Sequence, residues 1–100
     1  MNTIRQAGEE LRKKRLIMDY HFGHSNEQQL RVIAEGLVSK LNERYGSLID
    51  PEAKMEVLMT LGDSTEESSV CIIAITKPIT QEQSTEITGF VAQCASTYKQ

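Results

Sequence analysis

One hundred residues with a net charge of −3 and a hydrophobic share of 39% make one domain with a core of limited size, and leave part of the length for a tail or an interaction surface. No apolar run approaches the roughly 18 residues of a membrane span. The polar N-terminus lacks the apolar stretch of a signal peptide, so a cytoplasmic protein is expected.

The charge is unevenly placed. Residues 1–15 sum to +3 and the remaining 85 to −6, a basic arm on an acidic body. Residues 1–14 are therefore read as a basic N-terminal helix or arm, and 15–100 as a single α/β domain. In the arm, Thr3 and Gln6 have capping-box spacing, and Ile4, Ala7 and Leu11 fall at i, i+3 and i+7. The pattern predicts a helix over 3–14, too short to be stable alone in water.

From Arg15 to Phe22 the period becomes two. Leu16, Met18, Tyr20 and Phe22 point one way, and Arg15, Ile17, Asp19 and His21 the other, which predicts a strand with one core face. Gly23-His24 turns the chain. A helix follows, with Ser25 and Gln28 as its expected capping box and Leu30, Ile33, Ala34, Leu37, Leu41 and Tyr45 on one stripe. Gly46 is expected to end it in a left-handed cap. A loop broken at Pro51 leads to a second alternating strand over 54–61, with Met55, Val57, Met59 and Leu61 on the expected core side. Residues 62–69 have hairpin-loop composition. They deliver the chain into Val70-Cys71-Ile72-Ile73-Ala74-Ile75-Thr76, the one stretch apolar at nearly every position. Closed by Lys77-Pro78, it reads as a strand buried on both faces. Thr80 with Gln83 then caps a last helix whose stripe is Ile87, Phe90, Val91, Cys94 and Tyr98. Gly36 and Gly89 lie mid-helix, as if the two helices approach each other there.

Strand, helix, strand, strand, helix predicts an α+β fold: a βαββα two-layer sandwich with a three-stranded mixed sheet of order 1-3-2, two helices on one face and a short N-terminal helix. The other sheet face then keeps Ile17, Leu58 and alternate residues of 70–76 as an apolar patch, the kind of surface that marks an interaction site.

Catalytic chemistry is sparse. His21 and His24 stand at a strand end without a carboxylate or thiol at metal spacing. Cys71 and Cys94 fall in segments read as core, Asp50 and Glu52 flank a proline in a loop, and no Gly-rich phosphate cradle is present. No enzyme activity and no cofactor are expected. Arg12-Lys13-Lys14-Arg15 is a candidate phosphate contact with salt-dependent binding, although the same cations suit a helix C-terminus. Glu52, Glu56, Asp63, Glu66 and Glu67, with Glu82 and Glu86, are candidates for an acidic rim that meets a basic partner or imitates DNA.

From Arg15 to Tyr98 the succession of elements resembles the DNA-damage-inducible protein I (DinI) family of bacteria and phages. The resemblance rests on the strand Leu16–Phe22, the helix ending Leu37-Val38-Ser39-Lys40-Leu41-Asn42-Glu43-Arg44-Tyr45, the strands Met55–Leu61 and Val70–Thr76 with the following Lys77, and a closing helix. It implies a small non-enzymatic modulator that binds the RecA filament in the SOS response, or a phage counterpart. The family's acidic run in and after the last helix is missing, since this helix carries no acid beyond Glu86. The expected function is thus regulatory protein–protein binding in the cytoplasm through Ile17, Leu58, Glu56, Asp63, Glu66 and Glu67. A homodimer through the open sheet face is compatible with it. The alternative is a nucleic-acid-binding module using Arg12, Lys13, Lys14 and Arg15.

Overall fold

A computed structural model describes residues 11–99. The element order is β1 (Arg15–His21), α1 (Glu27–Tyr45), a 3-10 turn (Gly46–Leu48), β2 (Glu56–Thr60), β3 (Ser69–Ile75) and α2 (Gln81–Ser96). The three strands form one sheet of order β1-β3-β2, an α+β fold with both helices on one face. β1 and β2 run the same way, but β3 lies between them, so both ladders are antiparallel where a mixed sheet was expected.

Alternation decides the layers. Leu16, Met18, Val70, Ile72 and Ala74 are buried beneath the helices with Leu30, Leu37, Leu41, Ile87 and Val91. Side chains of period 2 on the strands and of 3.6 on the helices meet in one core. β3 is central for a physical reason: it is apolar on both faces, and the centre of the sheet removes most of that surface from water. Its continuation stays paired beyond the ladder. Thr76 N–H donates to the Lys14 carbonyl, Asp50 N–H to the Ile75 carbonyl, and Arg12 and Ile79 exchange two backbone bonds. Between those pairs one extra residue stands on the β3 side, at Pro78, which has no N–H to give.

Several local expectations shift. Residues 11–14 are extended, with Arg12 bridged to Ile79, so the helix expected over 3–14 does not include them; the rest of that expectation lies outside the described residues. The cap of α1 falls one residue later than expected: Asn26 Oδ1 accepts from Gln29 N–H, and Gln29 Oε1 accepts from Asn26 N–H, both at 2.8 Å. Ser25 instead donates to the Phe22 carbonyl and closes the turn. Gly46 is right-handed and continues into the 3-10 turn; among the described residues Gly23 is the glycine with positive φ, at 63°. The box of α2 is as expected on Thr80 and Gln83.

The two glycines do not face each other. A Cβ on Gly36 would overlap the Tyr98 hydroxyl, whereas one on Gly89 would meet nothing within 4 Å. The antiparallel helices meet instead where Tyr45 donates to Glu86 at 2.9 Å and stacks edge-on against Phe90 at 5.5 Å. Burial first, and then this bond to Glu86, hold the Tyr45 phenol above its ordinary pKa. Exposed Gly89 carries a helix cost with no packing return. Gly89→Ala is expected to stabilise the fold by about 0.5–1 kcal/mol. A higher urea midpoint at unchanged m would show it.

Candidate functional site

The open face of the sheet is built by the registers. Ile17 pairs with Ile73, Asp19 with Cys71 and Arg15 with Ile75 across one ladder; Glu56 pairs with Ile73 and Leu58 with Cys71 across the other. Ile17, Leu58, Cys71, Ile73 and Ile75 therefore form one contiguous apolar surface opposite the helices. Ile17 is 57% and Leu58 52% exposed, while Cys71, Ile73 and Ile75 are half-buried by their neighbours. Arg15, Asp19 and Glu56 fence it with both signs of charge. Fully burying one aliphatic side chain is worth roughly 1.5–3 kcal/mol. Covering Ile17 and Leu58, each already half out of water, is worth about half of that apiece. That suits a specific contact aided by its charged fence.

The thiol of Cys71 belongs to this face. Burial, with the nearby Asp19 carboxylate adding to it, pushes its pKa up, so it is a weak nucleophile at neutral pH. Core placement was expected for both cysteines. Cys94 does pack partly against the core, but Cys71 lies on the outer row because the alternation of β3 gives the helix side to Val70, Ile72 and Ala74.

The acidic residues do not form one rim. Glu56 starts β2, while Asp63, Glu66 and Glu67 lie past its far end, so the length of the strand separates them. Glu86 is engaged with Tyr45 at the C-terminal end of α1. Asp63 is a turn-maker: its Oδ1 accepts from Thr65 N–H, Thr65 Oγ1 and Glu66 N–H. Those bonds, led by the Thr65 backbone N–H, hold its carboxyl below the usual range. Glu67 accepts from Gly23 N–H at 2.9 Å and clasps the β1–α1 turn to the hairpin. Two of the expected binding carboxylates thus serve the fold, leaving Glu66 on the loop and Glu56 on the open face.

The basic run is likewise drawn apart. Lys13 Nζ pairs with Asp50 at 3.0 Å, and Lys14 Nζ bonds Gln81 Oε1 at 3.4 Å. The Asp50 carboxyl is held low, first by the Glu52 backbone N–H and then by Lys13. Arg12 bridges to Ile79, and Arg15 lies on the open face. Lys13 and Lys14 thus each reach a partner within the fold. His21 and His24 line a shallow pocket with Glu67 and Tyr98, and among the described residues no group of three His, Cys, Asp or Glu is placed to hold a metal ion.

One surface was assigned to the core by the sequence and is not there. Val57 and Met59 face the helix side but are 38% and 39% exposed, and Leu61, just past the strand, is 56% exposed. Val57 and Met59 look into a groove of about 440 Å³ against Ala34 and Val38 of α1. α1 packs over β3 and the inner side of β2, and the outer side of β2 lies beyond it. The signal was in the predicted order itself, which places 54–61 at an edge with only two helices for three strands. No protein-family model and no curated protein matches this chain.

Proposed function

We propose that this chain is a small regulatory protein that acts by binding another protein through the open face of its sheet, with Ile17, Leu58 and Glu56 at the contact. The observation that supports this reading is the contiguous apolar surface around Ile17, Leu58 and Ile73, fenced by Arg15, Asp19 and Glu56. The likeness to the DinI family gives the partner a class, a recombinase filament of the RecA kind, and makes the chain a non-enzymatic modulator. The missing acidic run moves the contact from the last helix to the sheet. The nucleic-acid reading is weaker, because Lys13 and Lys14 are committed to Asp50 and Gln81.

The test is co-sedimentation with RecA filaments and capture from a bacterial cytosolic extract, each with Ile17→Asp and Val32→Asp variants. Val32 is equally exposed but lies on α1. Ile17→Asp is expected to weaken binding at least about tenfold, equal to 1.4 kcal/mol, with circular dichroism unchanged. Val32→Asp is expected to leave binding intact. Equal binding by both variants refutes the open-face contact, and binding to other proteins but not to RecA refutes the family's function alone.

A further inference from the structure

The outer edge of β2 is a second, separate feature. Its five residues Glu-Val-Leu-Met-Thr are exposed, and among the described residues nothing pairs with that edge. Edge strands are ordinarily guarded by lysine, proline, a bulge or a covering element. β2 contains neither lysine nor proline, and its register from Glu56↔Ile73 to Thr60↔Ser69 runs without a bulge. The opposite edge, β1, is longer and carries Arg15, Asp19 and His21.

We infer that β2 pairs antiparallel with β2 of a second copy of this chain about a two-fold axis at Leu58, giving a six-stranded sheet. The strand is complementary to itself in that register. On the helix side Val57 meets the mate's Met59, and pairing carried one residue past each end of β2 sets Met55 against the mate's Leu61, so the apolar row lies on its own image. On the open side Leu58 meets Leu58, and Glu56 meets Thr60 rather than another carboxylate. Centring on Val57 instead sets Glu56 against Leu58, and centring on Met59 sets Met55 against Asp63. Of the three, the Leu58 register alone matches apolar with apolar along the helix side and sets Leu58 against Leu58, with Glu56 against Thr60.

The helices add to the strand contact. A stable interface needs about 800 Å² on each partner, more than a five-residue ladder provides. α1 packs over both β2 and β3. With strands about 4.8 Å apart, joining the β2 edges brings the two α1 helices to about 10 Å, a normal helix-packing distance. Their facing rows are antiparallel and carry Arg31 and Glu35 beside the groove floored by Val57 and Met59. Arg31, now paired with Glu27 on its own helix, is offered to the mate's Glu35. Occupation of the groove by the mate's Met59 and Val38 buries the apolar surface that β2 now exposes. This contact shares Leu58 and Glu56 with the open-face reading but not Ile17, which lies two strands away and so separates the two.

The experiment is disulfide trapping with sedimentation equilibrium on the full chain. Leu58 neighbours Cys71 across the ladder, so the background is Cys71→Ser with Cys94→Ser. In it, Leu58→Cys is expected to form a covalent dimer, because antiparallel partners bring the two Cα atoms to about 4.5–5.5 Å. Thr60→Cys alone is expected not to, since its partner is the mate's residue 56. Without a crosslink, Met59→Lys is expected to raise the dimer dissociation constant at least about tenfold while Ile17→Asp leaves it unchanged. A chain that remains monomeric up to about 1 mM overturns the inference. So does trapping at residue 60 that is as efficient as at residue 58.

Discussion

Truncating Ile72 to alanine is expected to remove about 3–5 kcal/mol of stability, the top of the range for a buried aliphatic residue. Ile72 has no exposed surface, points into the core beneath the helices and is paired on both sides, with Met18 across one ladder and Val57 across the other. The cavity left by three lost carbons is bounded by β-sheet backbone, which relaxes little, so the full cavity penalty stands beside the lost transfer energy. A domain of 100 residues has about 5–15 kcal/mol in all, and the variant is expected to sit near the edge of unfolding at 37 °C. Urea unfolding at constant m is the measurement. A loss below about 1 kcal/mol would mean that β3 is not the centre of the core. Ile73→Ala, one residue along on the open face, is expected to cost far less, because its side chain is already half in water.

The second large effect is expected at Gly62. A Cβ there would run into the Glu66 carbonyl and the backbone joining Glu67 to Ser68, which cannot step aside as a side-chain end can. The segment it would push carries Ser68, buried to 1% exposure, whose hydroxyl donates to the Ser25 carbonyl at 2.8 Å and accepts from Gly62 N–H at 3.1 Å. Gly62→Ala must therefore open the loop and unseat that hydroxyl, leaving buried polar groups without partners. Together these are expected to cost about 2–3 kcal/mol, with faster hydrogen exchange at Ser68 and Phe22 N–H, which bond across the same junction. Gly23→Ala is the comparison: its φ of 63° makes a side chain strained, yet nothing lies within 4 Å, so about 1–2 kcal/mol is expected. An equal or larger loss at Gly23 would show that backbone conformation, not close approach, governs this end of the sheet.

Much of the fold was legible because its signals are local and periodic. Alternation at 16, 18, 20 and 22, the 3.6-residue stripe from Leu30 to Tyr45, and the unbroken apolar run at 70–75 each fix an element and its buried side without reference to the others. The cap of α1 was misread by one residue because Ser25 and Asn26 offer equally good caps. The choice fell to the turn, which uses the Ser25 hydroxyl on the Phe22 carbonyl. The pairing of Gly36 with Gly89 was misread because sequence shows that a glycine is present but not what approaches it; Tyr98 approaches one and nothing approaches the other. The open face was foreseen through Ile17 and Leu58. The acidic rim was not borne out, since composition does not say that Asp63 and Glu67 spend their oxygens on the loop and on Gly23.

Hydrophobic periodicity alone determined the five elements, their order and the central place of β3, because burying a segment apolar on both sides leaves the middle of a sheet as the favourable position. Tertiary structure decided how far the helices extend across that sheet, and so which apolar residues stay in water. Val57, Met59 and Leu61 have the same alternation as Leu16 and Met18, yet only the latter pair is buried. Alternation tells a side chain which face it occupies; whether anything lies over that face depends on the width of three strands against two helices, a property of the assembled chain.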